Sequence, residues 1–156
     1  MTLDANRLAK EAWERGLLPE TPPGTAWKPE VAHGASRLDY ALTLPSGEVA
    51  LLEVKSVTLL VGDEARFPDA PTLRGARHVR ELTQHALKGG RAILLFVQQR
   101  MGGVIVRPQA STDPDFAVAL AEAHSAGVSL FAVACEVGPG GILPLKRVPV
   151  VGEPSA

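Results

Sequence analysis

An acid and a lysine stand two residues apart in Val49-Ala-Leu-Leu-Glu53-Val-Lys55-Ser-Val57, inside an otherwise apolar run. Such a run reads as an interior strand. Strand side chains alternate with period two, so Glu53 and Lys55 share a face, about 6–7 Å apart. Charges on the face of an interior strand are costly unless they are paired, hydrated or bound to a metal. A second strand, Ser36 to Leu44, precedes this one across the turn Pro45-Ser46-Gly47. A three-residue turn pairs Leu44 with Glu48, and Asp39 then falls opposite Glu53, with Arg37 opposite Lys55. Directly opposed side chains have Cβ atoms about 4.5–5.5 Å apart. A one-residue slip would turn Asp39 to the other face, so the patch depends on the length of the turn. Strict alternation puts Leu38, Tyr40, Leu42 and Leu44 on one face and Arg37, Asp39, Ala41 and Thr43 on the other.

Two facing carboxylates repel, and each raises the other's pKa unless a cation lies between them. A hard divalent ion relieves this: Mg2+ takes oxygen ligands, keeps several waters and needs only one or two protein carboxylates. Lys55 would then stand beside the reacting group, where it orients a nucleophile or offsets developing negative charge. The alternative is structural: an Asp39–Lys55 or Glu53–Arg37 cross-strand ion pair, and both readings stay open on the residues alone. A glycosidase pair fits less well. Retaining pairs sit about 5–5.5 Å apart across a sugar cleft, and the chain is only 4% aromatic, with no platform for a sugar. An Asp followed after a hairpin by Glu-x-Lys resembles the PD-(D/E)xK nuclease superfamily, in which Mg2+ or Mn2+ supports phosphodiester hydrolysis.

The elements that must position this patch follow from periodicity and punctuation. Leu3 to Arg15 reads as a helix, capped by Thr2 or Asp4, with Leu8 and Ala12 on its packed face. Lys28 to His33 reads as a short strand, and Glu48 to Leu60 as one long strand. The stretch 62–71 reads as a loop. Thr72 caps a helix from Leu73 to Lys88, whose Gly75, Val79, Leu82 and Ala86 keep helical spacing and face the sheet. His78 and His85 flank that packed side. Arg77, Arg80 and Lys88 lie elsewhere on the helix as a basic stripe; such a stripe is commonly a solvated face, and phosphate contact is the functional alternative. Arg91 to Gln99 is continuously apolar over Ala92–Val97, as expected of a central strand covered on both faces. Gly102-Gly103 opens a loop, Asp113-Pro114 starts a helix to about Ser125 with proline at the first helical position, and strands follow at 128–137 and 142–151. The order αβββαβαββ predicts an α/β fold: a mixed central sheet with flanking helices, one domain over residues 1–151 and a loose tail at 152–156.

Composition narrows the functional classes. The chain has 156 residues, 46% hydrophobic and 21% charged, which suits one folded domain. A net charge of −1 argues against a strongly basic nucleic-acid coat while leaving a local basic face open. The single cysteine, Cys135, excludes an internal disulfide framework and a cysteine-based zinc site. No apolar run reaches the roughly 20 residues that span a bilayer, and the start carries no signal-peptide pattern, so no membrane partner and a cytoplasmic location are expected.

Several segments resemble the sugar fermentation stimulation protein family, in order over nearly the whole chain. They are Asn6-Arg7-Leu8, Gly34-Ala-Ser-Arg-Leu-Asp39-Tyr, Leu52-Glu-Val-Lys-Ser-Val-Thr-Leu59, Phe67-Pro-Asp-Ala-Pro-Thr-Leu-Arg-Gly-Ala-Arg-His78, Leu94-Leu-Phe-Val-Gln-Gln-Arg100 and Asp113-Pro-Asp-Phe-Ala117. The Phe67–Thr72 segment joined to Arg74-Gly75 is the most specific. The resemblance implies a restriction-endonuclease-like domain and nucleic acid, DNA or RNA, as partner. Asp39, Glu53 and Lys55 match its catalytic positions, with Asp39 and Glu53 holding Mg2+ or Mn2+. Glu11 matches an acidic position on the first helix, and Gln99 and Arg100 match a strand-end pair. Thr72, Arg74 and His78 match the loop-helix segment, whose implied role is phosphate contact. Members of that family usually carry an OB-like domain ahead of this one, and OB folds grip single strands by charge and stacking. The resemblance here covers only the nuclease-like part, so either a weak hold on nucleic acid or a second copy or partner chain in place of that domain is expected. The implied alternative to a nuclease is a non-catalytic nucleic-acid-binding protein with a regulatory role in sugar metabolism.

Overall fold

The structure is a computed structural model that describes residues 2–34 and 36–152, side chains of residues 2–4 excepted. The side chains of the expected caps Thr2 and Asp4, residue Ala35 of the turn and residues 153–156 of the expected tail therefore lie outside what is described.

A six-stranded sheet runs in the order β1-β2-β3-β6-β8-β9. Its strands are β1 (Ala26–His33), β2 (Ser36–Thr43), β3 (Val49–Val57), β6 (Arg91–Gln98), β8 (Ser129–Gly138) and β9 (Gly141–Val148). The central strands β3, β6 and β8 are parallel, while β1–β2, β2–β3 and β8–β9 are antiparallel. Helix α1 (Thr2–Glu14) covers one face, against a core that includes Leu8, Leu42, Leu52, Ile93, Leu95 and Val97. Helices α2 (Leu73–Leu87) and α3 (Pro114–Ala126) cover the other, against Leu51, Val57, Leu94, Phe96, Phe116 and Leu120. All of Ala92–Gln98 is buried, because β6 has helices over both faces.

The nine expected elements are present, and three short strands are added. β4 (Leu59–Val61), β5 (Glu64–Phe67) and β7 (Ile105–Pro108) form a separate three-stranded sheet, β5 and β7 within stretches read as loop. The long strand expected over 48–60 thus divides at Thr58 into β3 and β4. Each added strand has only three or four residues, too few for an alternation pattern, and β5 pairs with β7 some forty positions away in sequence. Nothing local marks such a pairing. The sheet matters to the site because it sets Phe67 at the edge of the cavity described below.

The start of α2 is fixed twice. Thr72 Oγ1 accepts the Gly75 N–H at 2.9 Å, an N-cap of the kind that contributes about 1 kcal/mol. Its own N–H donates to Asp113 Oδ2 at 2.7 Å, while Asp113 Oδ1 caps α3 by accepting the Phe116 N–H. One buried aspartate therefore ties the first turns of both helices together.

Candidate active site

The β2–β3 ladder has the expected register, with Thr43 opposite Val49, Leu42 opposite Ala50 and Tyr40 opposite Leu52. Beyond Tyr40 the ladder stops. The β1–β2 ladder also skips one position, passing from Pro29–Tyr40 to Val31–Leu38. The skipped residues are Asp39 and Glu30, and Glu30 has φ of +52°, a left-handed conformation that costs a non-glycine residue about 1–2 kcal/mol. The irregularity changes which way β2 faces. Leu42 and Tyr40 pack on the α1 side, whereas Leu38 packs on the α2 side. The strict alternation read from the sequence is thus wrong at Leu38, because a strand that loses its ladder at one residue is free to twist there.

The carboxylates take over the ladder's work at this opening. Asp39 N–H donates to Glu53 Oε1 at 3.0 Å, and Val54 N–H donates to Asp39 Oδ2 at 2.8 Å. Asn6 Nδ2, from α1, reaches Asp39 Oδ1 at 3.4 Å. Glu53 is 2% exposed, and its Oε2 lies 2.9 Å from Lys55 Nζ and 2.6 Å from His78 Nδ1. The short contact requires a proton between His78 and Glu53, so Nδ1 carries it and donates. Lys55 Nζ and His78 Nδ1 are 3.2 Å apart because both converge on one oxygen.

The two acids are driven apart in acidity. Asp39 is raised to about 6, first by burial and then by the charge of Glu53, against a smaller opposing effect of the Val54 N–H. Burial acts on Glu53 in the same direction, but the His78 hydrogen bond and the Lys55 charge together outweigh it and hold Glu53 down at about 2. Near neutral pH both are ionised, and Asp39 is the strained member.

A cavity of about 300 Å3 opens over this pair. Its walls include Asp39, Glu53, Lys55 and Ser56 from the sheet, Phe67 from β5, Thr72, Arg74 and His78 from the start of α2, Arg37 from β2 and Ala5 from α1. The donor set tests what ion would fit. It offers two carboxylates and one histidine nitrogen already committed to Glu53, with no cysteine. Among the described residues no three or more His, Cys, Asp or Glu side chains gather as a metal cage. That excludes a zinc-type cage there and suits an oxygen-seeking ion that keeps most of its water.

The residues singled out from the sequence divide accordingly. Asp39, Glu53, Lys55, Arg74 and His78 share the cavity. His78, expected to flank the packed side of α2, is 5% exposed and part of the carboxylate cluster. Its position three after Gly75 and four before Leu82 was the legible signal, since that spacing belongs to the buried stripe of α2. Glu11 pairs with Arg7 at 2.7 Å and is not among the cavity's residues. Gln99 and Arg100 line a different hollow with Thr58, Met101, Val137 and Ile142. Arg80 bridges to Asp115 at 2.8 Å and Glu122 at 3.6 Å, so it ties α2 to α3. Arg77 is exposed on α2, and Lys88 is its exposed C-cap; neither borders the cavity. Asn6 is the addition that tertiary structure brings to the site.

No described helix is long and apolar enough to cross a membrane. Residues 4–141 match the family described as the sugar fermentation stimulation protein RE domain. A sugar fermentation stimulation protein homolog of Ectopseudomonas mendocina is 46% identical over 154 residues, covering 96% of this chain and 65% of the relative. The Shewanella loihica homolog is 40% identical over 94% of this chain and 63% of its own length. A solved structure, Pyrococcus furiosus SfsA in complex with Ca2+, superposes with a TM-score of 0.85 at 34% identity, over 94% of this chain and 65% of that one. The chain thus spans just under two thirds of the relatives it matches, and it has their mixed α/β, nuclease-like fold. On the match of the family model over residues 4–141 and the shared fold, this chain belongs to the sugar fermentation stimulation protein RE-domain family.

Proposed function

We propose that this domain is a divalent-metal-dependent nuclease that hydrolyses phosphodiester bonds of DNA or RNA. The observation that carries the reading is the buried pair Asp39 and Glu53, facing one another in a cavity whose other walls hold Lys55, Arg37 and Arg74. That the Pyrococcus furiosus relative was solved in complex with Ca2+ supports divalent-ion binding by this domain. Asp39 and Glu53 would hold Mg2+ or Mn2+, which when bound supplies a more acidic water and neutralises charge on phosphate. Lys55, tethered through Glu53, presents an ammonium group to the same cavity and offsets negative charge building on the phosphorus oxygens. His78 donates to the same Glu53 Oε2 while the Asp39 N–H holds Oε1, so the carboxylate is fixed at both oxygens. Arg37 and Arg74 are exposed on the rim, where they hold flanking phosphates.

The test is cleavage of single- and double-stranded DNA and RNA with Mg2+ or Mn2+, comparing wild type with Glu53→Gln and Lys55→Ala. Metal-dependent cleavage lost in both variants is expected; equal activity in all three would trace it to a contaminant and overturn the reading. A second reading is favoured by one observation. Lys55 and His78 already converge on Glu53, as they would in a non-catalytic, nucleic-acid-binding or regulatory domain with a structural ion cluster. In that case Mn2+ leaves the melting temperature unmoved, since only a ligand of the native state raises it. Any nucleic-acid binding would then persist without metal and weaken steeply with salt.

A further inference from the structure

Asp39 is held at both oxygens from two different layers. Val54 N–H, in the sheet, binds Oδ2, and Asn6 Nδ2, on α1, reaches Oδ1. Ala5, Leu8, Ala9 and Ala12 of α1 are almost fully buried, and the half-buried Asn6 amide stands beside them. Only half of it is satisfied. Asn6 Oδ1 is a buried atom with no hydrogen-bond partner among the described residues. A buried acceptor left unpaired costs about 1–3 kcal/mol, and such groups mark places where a water or an ion completes the set.

The orphan oxygen belongs to the side chain that touches the strained carboxylate, at a donor set that fits a largely hydrated cation. We infer that Asn6 is a positioning residue for the divalent ion. Its amide N–H orients Asp39 Oδ1, and its Oδ1 accepts a hydrogen bond from water in the ion's hydration shell. Mg2+ and Mn2+ sites use few protein ligands and many waters, so groups that hold those waters decide a large share of the affinity. Loss of such an outer partner typically weakens binding about 10–100-fold. Asn6 also explains how α1 acts on the site without a carboxylate of its own there, since Glu11 is turned to Arg7.

This inference rests on the metal-site reading above, and one titration separates the two. Mn2+ alone is titrated calorimetrically into the intact chain at pH 7.5: wild type, Asn6→Ala, Asn6→Asp and Glu53→Gln (the pH is about 7.5, above the range where Asp39 takes up a proton). Melting temperatures are recorded in chelator. Asn6→Ala is expected to bind Mn2+ about 10–100-fold more weakly. Asn6→Asp keeps an acceptor oxygen in the same place but gives up the N–H that orients Asp39, and is expected to recover part of that binding. Glu53→Gln is expected to lose Mn2+ binding altogether. If Asn6→Ala binds like wild type while Glu53→Gln does not, the role of Asn6 is overturned and the metal site stands. Asn6→Asp no better than Asn6→Ala, at matched melting temperatures, also overturns it. Wild type and Glu53→Gln alike in Mn2+ would remove the site itself and the inference with it.

Discussion

Two of the charged clusters that cross between elements among the described residues differ in nearly everything but composition. On the surface, Arg80 of α2 meets Asp115 and Glu122 of α3 with side chains 41%, 52% and 55% exposed. Under the start of α2, Glu53 meets Lys55 and His78 with side chains 3%, 14% and 7% exposed, and Asp39 presses against it. Water screens the first cluster, so each charge is nearly as content alone as paired. Burial strips water from the second, so each member depends on the others and the two acids separate to about 6 and about 2. A charged pair alone therefore says little; the degree of exclusion from water separates a surface staple from a site able to do chemistry.

Removing Glu53 gives the largest expected effect. Glu53→Ala leaves Lys55 and His78 converging on nothing, and breaking a buried pair by deleting one partner costs about 3–5 kcal/mol. Urea denaturation at neutral pH measures it; a loss near zero would place the buried cluster in the same class as the surface one.

Asp39→Asn is expected to act in the opposite direction. Asp39 has a native pKa of about 6 against an ordinary 3.8, so its neutral form is the favoured one. Its contribution is fully present below about 3.8 and is lost as pH rises through about 6. At pH 7 without metal, Asn in its place therefore stabilises the fold by about 1–2 kcal/mol, discounted for partial exposure, while Mn2+ binding disappears. Glu53 contributes with the reverse sign: its stabilisation is present above about 4.5 and lost as pH falls through about 2. Metal-free melting of wild type should then decline between pH 4 and 7 more than that of Asp39→Asn (a window of roughly three units, spanning the Asp39 titration). Parallel pH profiles would contradict the assignment.

A smaller effect is read from the metal. Below about pH 6 the ion must displace a proton from Asp39, so Mn2+ affinity should fall about tenfold per further unit. Titrations at a series of pH values check this, and a flat profile would show that Asp39 is not a ligand. Smallest of all is Arg80→Ala, expected to leave both the melting temperature and Mn2+ binding close to wild type. A large loss there would show that burial is not what divides the two clusters.

Much of the site was legible because it is short-range. A three-residue turn between two alternating strands leaves one favourable register, and Tyr40 opposite Leu52 is that register. Asp39 and Glu53 were brought face to face by fourteen residues of local chain. His78 was partly legible, since its place on the buried stripe of α2 could be counted, but the sequence does not say which sheet residue it meets. Asn6 was not legible as a site residue. It is thirty-three positions from Asp39, and only the seating of α1 on the sheet joins them.

The sequence by itself determined the hairpin, the shared face of Glu53 and Lys55, the helix capped by Thr72, and the buried character of β6. Periodicity, turn chemistry and capping act between residues a few positions apart, and they leave their mark in the order of residue types. Tertiary structure alone decided three things. The second small sheet exists only because β5 finds β7. The face of β2 changes at Asp39 because both neighbouring ladders lapse there. The opening Glu53–Lys55 pair became a four-membered buried cluster, fixed from α1 and α2 at once, because packing removed the water that would otherwise have let those charges stand apart.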